Sequence, residues 1–307
     1  MPRLDYATVM PDQAMEDDCR QLVRLAVRED LDRSLDWTTV ALIAGDAQGC
    51  CEVVPRQTGV CAGMVTVPWM IDEMDAAIET EFLQTDRQSL TPDKPILRLH
   101  GNARDLLTTE RVLLNVLSRL CGIATQTARF IAALGNTNAK LYDTRKTTPG
   151  WRRLEKYAVG CGGGRNHRTG LFDGFLIKDN HLALGGGSDA PMSPASAVEI
   201  AKRWAGGQAD LAQAPEVIEV EVDSLEQLAE VLPAGPNIVL LDNFTVDELR
   251  RAVRMRNELA LGVELEASGG VSLDTIVQIA ATGVERISCG ALTHQATWLD
   301  LGMDWKA

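Results

Sequence analysis

From about residue 140 onward the chain alternates between short apolar, β-branched runs and longer amphipathic stretches. The runs read KLYDT, GFLIKDN, EVIEVEVD, NIVLLDN, GVELEASGG and RISCG, and each ends in polar residues. Between them lie segments such as SLEQLAEVL, where Leu225, Leu228, Val231 and Leu232 recur at helical spacing, and VDELRRAVRMRNELA. Alternation of this kind predicts βαβ units and a parallel sheet. No break in strand order is evident, so six such units predict a closed or nearly closed α/β barrel rather than a doubly wound sheet.

The first hundred residues follow a different pattern. A helix over EDDCRQLVRLAVRED precedes strand-like runs in CCEVVPRQTGVCAG, EFLQTD and ILRLHG, which together predict a small α+β domain. A long helix over TTERVLLNVLSRLCGIATQTARFIAAL joins the two parts, with Thr108 or Thr109 as its N-cap and a break expected near Gly122. The expected domains are residues 1–122 and 123–290, with the tail 291–307 packing back on the first. Residues 184–196, LGGGSDAPMSPAS, read as a mobile loop: a lid or a tolerated insertion.

Composition narrows the partners. The chain has 307 residues, is 45% hydrophobic and carries a formal net charge of −13, which argues against a nucleic-acid backbone as partner. The N-terminus lacks an apolar signal region, and no apolar run approaches the roughly 20 residues of a bilayer span. Seven cysteines without a CxxC pair suggest buried free thiols in a reducing cytoplasm, not a zinc site or disulfide framework.

Against this acidic background, residues 143–168, DTRKTTPGWRRLEKYAVGCGGGRNHR, gather seven Lys and Arg and two acids. A local basic cleft for a small anion is compatible with an acidic chain, because clefts focus fields. Other polar residues fall at the ends of the apolar runs, where barrel enzymes keep their chemistry. They are Arg145 and Lys146, then Lys178 and Asp179, Glu221, Asp242, Ser268-Gly269-Gly270, and Gly290.

In VIEVEVD the alternation puts Ile218, Val220 and Val222 on one face and Glu219 and Glu221 on the other. Buried carboxylates need a partner: the two glutamates either pair with core lysines, or Glu221 joins Asp242 in facing a metal or sugar hydroxyls. Oxygen ligands of this type suit Mg²⁺. Glycines at 269 and 270 let backbone N–H groups approach a phosphate, although plain turn chemistry also explains such a tripeptide. Arg111 falls in the first turn of the helix expected from Thr108, where the dipole disfavours a cation; it either pairs with Glu110 or Asp105 or is presented to an anion. Arg152, Arg153, Lys156 and Arg165 read as ordinary exposed charges.

The succession ERVLLNVLSRLCGIAT, DTRKTTPG, RRLEKYAV, GGGRNHRTGLFDGFLIKDNH, EVEVDSLEQL, LLDNF, EASGG and ISCGALTH resembles the quinolinate phosphoribosyltransferase family over most of the chain. DTRKT, GGGxNHR and KDNH in that order are its most specific part. The resemblance implies a small N-terminal α/β sandwich domain followed by an open, TIM-like α/β barrel. It implies that phosphoribosyl pyrophosphate and quinolinate are joined with loss of CO₂, giving nicotinate mononucleotide in NAD synthesis. By the same resemblance, Arg145, His167, Arg168 and Lys178 hold quinolinate and Lys146 holds phosphoribosyl pyrophosphate. Glu221 and Asp242 hold the ribose hydroxyls and Mg²⁺, and Ser268, Gly269, Gly270 and Gly290 bind the 5′-phosphate. Arg111 corresponds to an arginine donated across a homodimer interface, so the site would be shared, within a dimer or a hexamer of such dimers. Trp151 and the length of the 184–196 loop depart from the family pattern.

The chemistry suits these residue types. A planar dicarboxylate matches arginine forks, and Mg²⁺ neutralises the departing pyrophosphate. Carboxylates stabilise positive charge developing at the anomeric carbon. Once ribosylated, the pyridinium nitrogen accepts the electrons released with CO₂, so no redox or pyridoxal cofactor is required. A relative acting on nicotinate would need to recognise one carboxylate rather than two. A barrel lyase for a phosphorylated sugar would need the phosphate loop but not the arginines, and a binding protein would need no converging acids.

Overall fold

The structure is a computed structural model that describes residues 5–186, 191–207 and 215–306. The chain divides into two compact units. One contains residues 130–145 and 165–291 together with the N-terminal segment through Ala7, and the other contains 8–129, 146–164 and 292–307. The two units interleave along the chain.

The first unit is built on six parallel strands: Lys140–Tyr142, Phe175–Ile177, Ile218–Val222, Ile238–Asp242, Glu264–Ser268 and Arg286–Ser288. Numbered in that order, the first pairs with the sixth, the sixth with the fifth, and so on to the second. Sequence neighbours are sheet neighbours everywhere except at the first and second strands. No ladder joins those two among the described residues, and a single bridge links Tyr142 to Arg165. The barrel is thus open at one seam. The crossover helix after the first strand, Arg152–Cys161, belongs to the other unit.

In the third strand Ile218, Val220 and Val222 are buried on one face, while Glu219 on the opposite face is fully buried beside Tyr6, His167, Glu266 of the fifth strand and Arg286 of the sixth. The helices that follow the third and fourth strands start on side-chain caps. Ser224 accepts from the backbone of Gln227, and Thr245 forms a reciprocal capping box with Glu248. Residues 187–190 of the loop noted above lie outside the described residues; its flanks are the helices Asp179–Gly185 and Pro194–Gly207.

The second unit holds an antiparallel sheet in the order Leu301–Trp305, Gln48–Pro55, Leu97–Asn102, Ile78–Phe82. The helix Gln13–Leu31 is capped by Asp12 and buries Met15, Cys19 and Val23. The long helix runs from Ala103 to Leu134, which corrects three expectations. It starts at Ala103, because Asn102 Oδ1 accepts the Arg104 N–H at 2.9 Å and serves as the cap. Thr109 lies inside the helix, with its hydroxyl donating to the Asp105 carbonyl, and Arg111 is well past the first turn, so the dipole does not act on it. The helix also passes through Gly122 unbroken: a Cβ there would overlap the Thr297 carbonyl oxygen, so the glycine permits a close approach of backbone.

Lys156, read as an exposed charge, is fully buried in the Arg152–Cys161 helix. That helix is enclosed on several sides, and its Glu155 takes Arg119 at 2.7 Å and the Thr148 hydroxyl at 2.8 Å. All seven cysteines are free; six are buried and Cys50 is partly exposed. No helix among the described residues is long and apolar enough to cross a membrane.

Candidate active site

Four carboxylates meet at the C-terminal ends of the barrel strands. Glu221 on the third strand and Asp242 at the end of the fourth line a cavity of ≈ 340 Å³ together with Asp179 and Asp223. Lys178, which follows the second strand and caps the helix Asp179–Gly185, pairs its Nζ with Glu221 Oε2. Asp242 accepts from the Asn243 amide at 2.8 Å. Glu221 therefore pairs with a lysine, one of the two expected partners, yet lies in a pocket rich enough in oxygen ligands for a hard divalent cation. Mg²⁺ fits this set better than the deeper group described next, where an arginine already supplies the positive charge.

That deeper group sits inside the barrel. His167, Glu219 and Glu266 bring ligand-type atoms together, all buried. His167 Nε2 lies 3.0 Å from Glu219 and 3.5 Å from Glu266. Tyr6 donates to Glu219 at 2.6 Å, and Arg286 Nε donates to Glu266 at 2.7 Å. Arg286 in turn holds Asp5 at 2.8 Å and lies over the Tyr142 ring at 3.7 Å. Burial pushes both glutamates up. For Glu219 the opposing pull of His167, Tyr6 and Arg286 wins, and it lies below its ordinary value. Glu266, facing the Glu219 charge, stays above its own. A like-charge pair is expected to split in this way.

His167 and Arg168, two of the residues expected to bind the dicarboxylate, stand on a short loop gripped by Asp143. This fully buried carboxylate accepts the Asn166 amide at 2.7 Å and the His167 backbone N–H at 2.8 Å. The next residue, Arg168, donates Nη1 to the Gly174 carbonyl at 3.2 Å, but its buried Nε has no partner. Arg145 Nε, after the first strand, is likewise buried without an acceptor. Burial lowers the pKa of Arg168 and the charge of Arg145 lowers it further, although a guanidinium stays charged at neutral pH. Two buried, like-charged N–H donors without acceptors are costly alone and complementary to an anion.

At the fifth strand, Ser268 ends the β-structure and its carbonyl accepts the Asn243 N–H at 2.9 Å. Gly269 and Gly270 then adopt φ of 92° and 60°, conformations that favour glycine. A Cβ at Gly269 would collide with the Asn243 side chain. Gly290 lies two residues past the end of the sixth strand, after Cys289.

The first unit thus contains Arg145, His167, Arg168, Lys178, Glu221, Asp242, Ser268, Gly269, Gly270 and Gly290, whereas Arg111, which is exposed, and Lys146 fall in the second. His167 turns its ring toward the buried glutamates. Asp143, Glu266 and Arg286 carry structural duties that the sequence reading did not assign, although each lies in a run already singled out. Tyr6 has no local signal at all.

Comparison with known proteins gives the family of the chain. The family model described as quinolinate phosphoribosyl transferase, N-terminal domain, matches residues 36–121, and the corresponding C-terminal domain matches residues 123–304. A nicotinate-nucleotide pyrophosphorylase [carboxylating] from Mycobacterium leprae is 43% identical over 291 residues, covering 94% of this chain and 97% of its own. A probable nicotinate-nucleotide pyrophosphorylase [carboxylating] from Bacillus subtilis is 39% identical, covering 84% of each. The solved nicotinate-nucleotide pyrophosphorylase of Francisella tularensis superposes with a TM-score of 0.85 at 34% identity, covering 99% of this chain and 100% of that one. With both domain models matched in order and relatives aligned over nearly the whole chain, the protein belongs to the quinolinate phosphoribosyltransferase family.

Proposed function

We propose that the chain transfers the phosphoribosyl group of phosphoribosyl pyrophosphate to quinolinate and releases CO₂, giving nicotinate mononucleotide and pyrophosphate for NAD synthesis. The observation that carries this reading is the pair of buried guanidinium Nε groups, Arg145 and Arg168, that lack an acceptor. In a barrel that also has an acidic pocket and a glycine turn at its strand ends, they call for a small, planar, doubly charged anion.

In this reading Arg145 and Arg168 hold the two carboxylates of the pyridine ring, and His167 sets the loop that carries Arg168. Glu221 and Asp242 accept from ribose hydroxyls, and their charge favours the positive character that develops at the anomeric carbon. Lys178, paired with Glu221, keeps that carboxylate oriented and offers a cation to a bound anion. The N–H groups of the Ser268-Gly269-Gly270 turn, with Gly290 beside the sixth strand, receive the 5′-phosphate. Mg²⁺, held by Glu221 and Asp242 directly or through water, would neutralise the pyrophosphate as it leaves. The site acts chiefly through positioning and charge. Lys146 and Arg111 take their roles from the family pattern: Lys146 toward phosphoribosyl pyrophosphate, and Arg111 from a neighbouring subunit of a homodimer or hexamer. A cytoplasmic location accords with seven free cysteines.

The test is incubation of the purified protein with quinolinate, phosphoribosyl pyrophosphate and Mg²⁺, following nicotinate mononucleotide and CO₂. Turnover of nicotinate with none of quinolinate would overturn the reading. For the shared site, Arg111→Ala and Lys146→Ala subunits, each inactive alone, should recover part of the activity when mixed. No recovery despite proven subunit exchange would exclude sharing.

A further inference from the structure

We infer that Tyr6 and Glu219 are positioning residues for the dicarboxylate clamp, setting the place of Arg168 through His167. This rests on the functional reading above and adds two residues to it, one of them more than 200 positions from its partner in sequence.

Glu219 sits two residues before Glu221 on the same face of the third strand, hence about 6–7 Å deeper in the barrel, too deep to meet a substrate at the strand ends. Its carboxylate instead binds the His167 imidazole. His167 Nδ1 accepts the Arg168 backbone N–H at 2.8 Å, so that nitrogen carries no proton. The other nitrogen, Nε2, is then the protonated one and donates toward Glu219 at 3.0 Å and Glu266 at 3.5 Å. One face of the ring stacks on Tyr6, with centroids 4.6 Å apart and planes 29° from parallel. Held at both nitrogens and on one face, the imidazole acts as a rigid strut under the backbone of Arg168.

Tyr6 supports the arginine at a second point. Gly174, whose carbonyl accepts Arg168 Nη1 at 3.2 Å, is pressed against the same phenol, and a Cβ there would lie 2.6 Å from Tyr6 Cε1. The two anchors of Arg168, the imidazole beneath its backbone and the carbonyl beneath its guanidinium, both back onto one aromatic ring. The Tyr6 hydroxyl holds that ring in place through its 2.6 Å bond to Glu219. A residue that merely filled the barrel would need no hydroxyl, since leucine or phenylalanine closes such a space equally well.

The test uses Tyr6→Phe, which keeps the ring and both packing contacts and removes only the bond to Glu219. Wild type, Tyr6→Phe and Glu219→Gln are compared for KM toward quinolinate, KM toward phosphoribosyl pyrophosphate, and melting temperature. Loss of a hydrogen bond to a charged group is expected to raise the quinolinate KM about ten-fold. The phosphoribosyl pyrophosphate KM should stay as in wild type, the melting temperature should fall only by the few degrees that one buried hydrogen bond is worth, and Glu219→Gln should shift the quinolinate KM in the same direction. An unchanged quinolinate KM in Tyr6→Phe overturns the inference. So does a rise in both KM values accompanied by a lower melting temperature, which would make Tyr6 a structural plug. Failure of the wild type to turn over quinolinate would overturn the functional reading itself, and is distinguished by that control.

Discussion

Arg168 is held against its own electrostatic interest: it is buried, close enough to Arg145 to be repelled, and short of an acceptor at Nε. Removing it should therefore affect binding and stability in opposite directions. Arg168→Ala is expected to lower kcat/KM for quinolinate by about 2–4 kcal/mol of transition-state stabilisation. Thermal unfolding should meanwhile show a melting temperature no lower than wild type. The tyrosines give a second prediction at this scale. The chain has three, Tyr6, Tyr142 and Tyr157, and burial is the largest cause raising each above its ordinary value. A raised pKa favours the neutral phenol, so that contribution to stability is complete below about pH 10 and is lost as pH climbs past it. Ultraviolet titration of the native protein should show no tyrosinate near pH 10, with the signal arriving together with unfolding as alkali is added.

Among the elements, the Ala103–Leu134 helix is sensitive where it meets other backbone. Gly122→Ala would drive a Cβ into the Thr297 carbonyl, and is expected to cost about 1–3 kcal/mol of overpacking strain. Chemical denaturation of the variant should give a lower midpoint with an unchanged slope. This helix also shows where sequence patterning stops. Its apolar spacing was legible, but its start was hidden because Asn102 is at once the last residue of a strand and the cap of the helix. Gly122 reads as a breaker when only local chain flexibility is considered; its reason lies at Thr297, far along the sequence. The barrel strands were plain by contrast, since β-branched runs ending in polar residues mark both the strand and the end that carries chemistry. That logic put Arg145, Lys178, Glu221 and Asp242 at strand ends, where the structure has them. Tyr6 was not, because no periodicity or motif surrounds it and its partners emerge only from folding.

At the level of the whole molecule, the chain crosses between its two units more than once. The strand Leu301–Trp305 returns to lie along Gln48–Pro55 as the edge of the antiparallel sheet, with Trp305 close to Gly49. Ending the chain at Asp300 should uncover a long, largely buried strand and leave its backbone groups unpaired. The expected outcome is a lower melting temperature and concentration-dependent aggregation by light scattering, and a truncated protein as stable and monodisperse as the full chain would contradict it. The same interleaving makes local substitutions in the second unit, such as Arg119→Ala opposite the buried Glu155, costly for folding. A lost partner for a buried charge is worth about 3–5 kcal/mol, read as a shift of the denaturation midpoint.

The hydroxyl of Tyr6 meets Glu219 across 213 residues, and Arg286 meets Asp5 across 281. On a ribosome adding about 5–20 residues per second, the Tyr6 hydroxyl waits roughly 10–40 s before Glu219 has even been made. The beginning of the chain is thus among the last parts to find its place. Until then the polar interior of the barrel lacks its closing residues, and nascent chains stalled between residues 219 and 286 should be markedly more open to proteases than the finished protein.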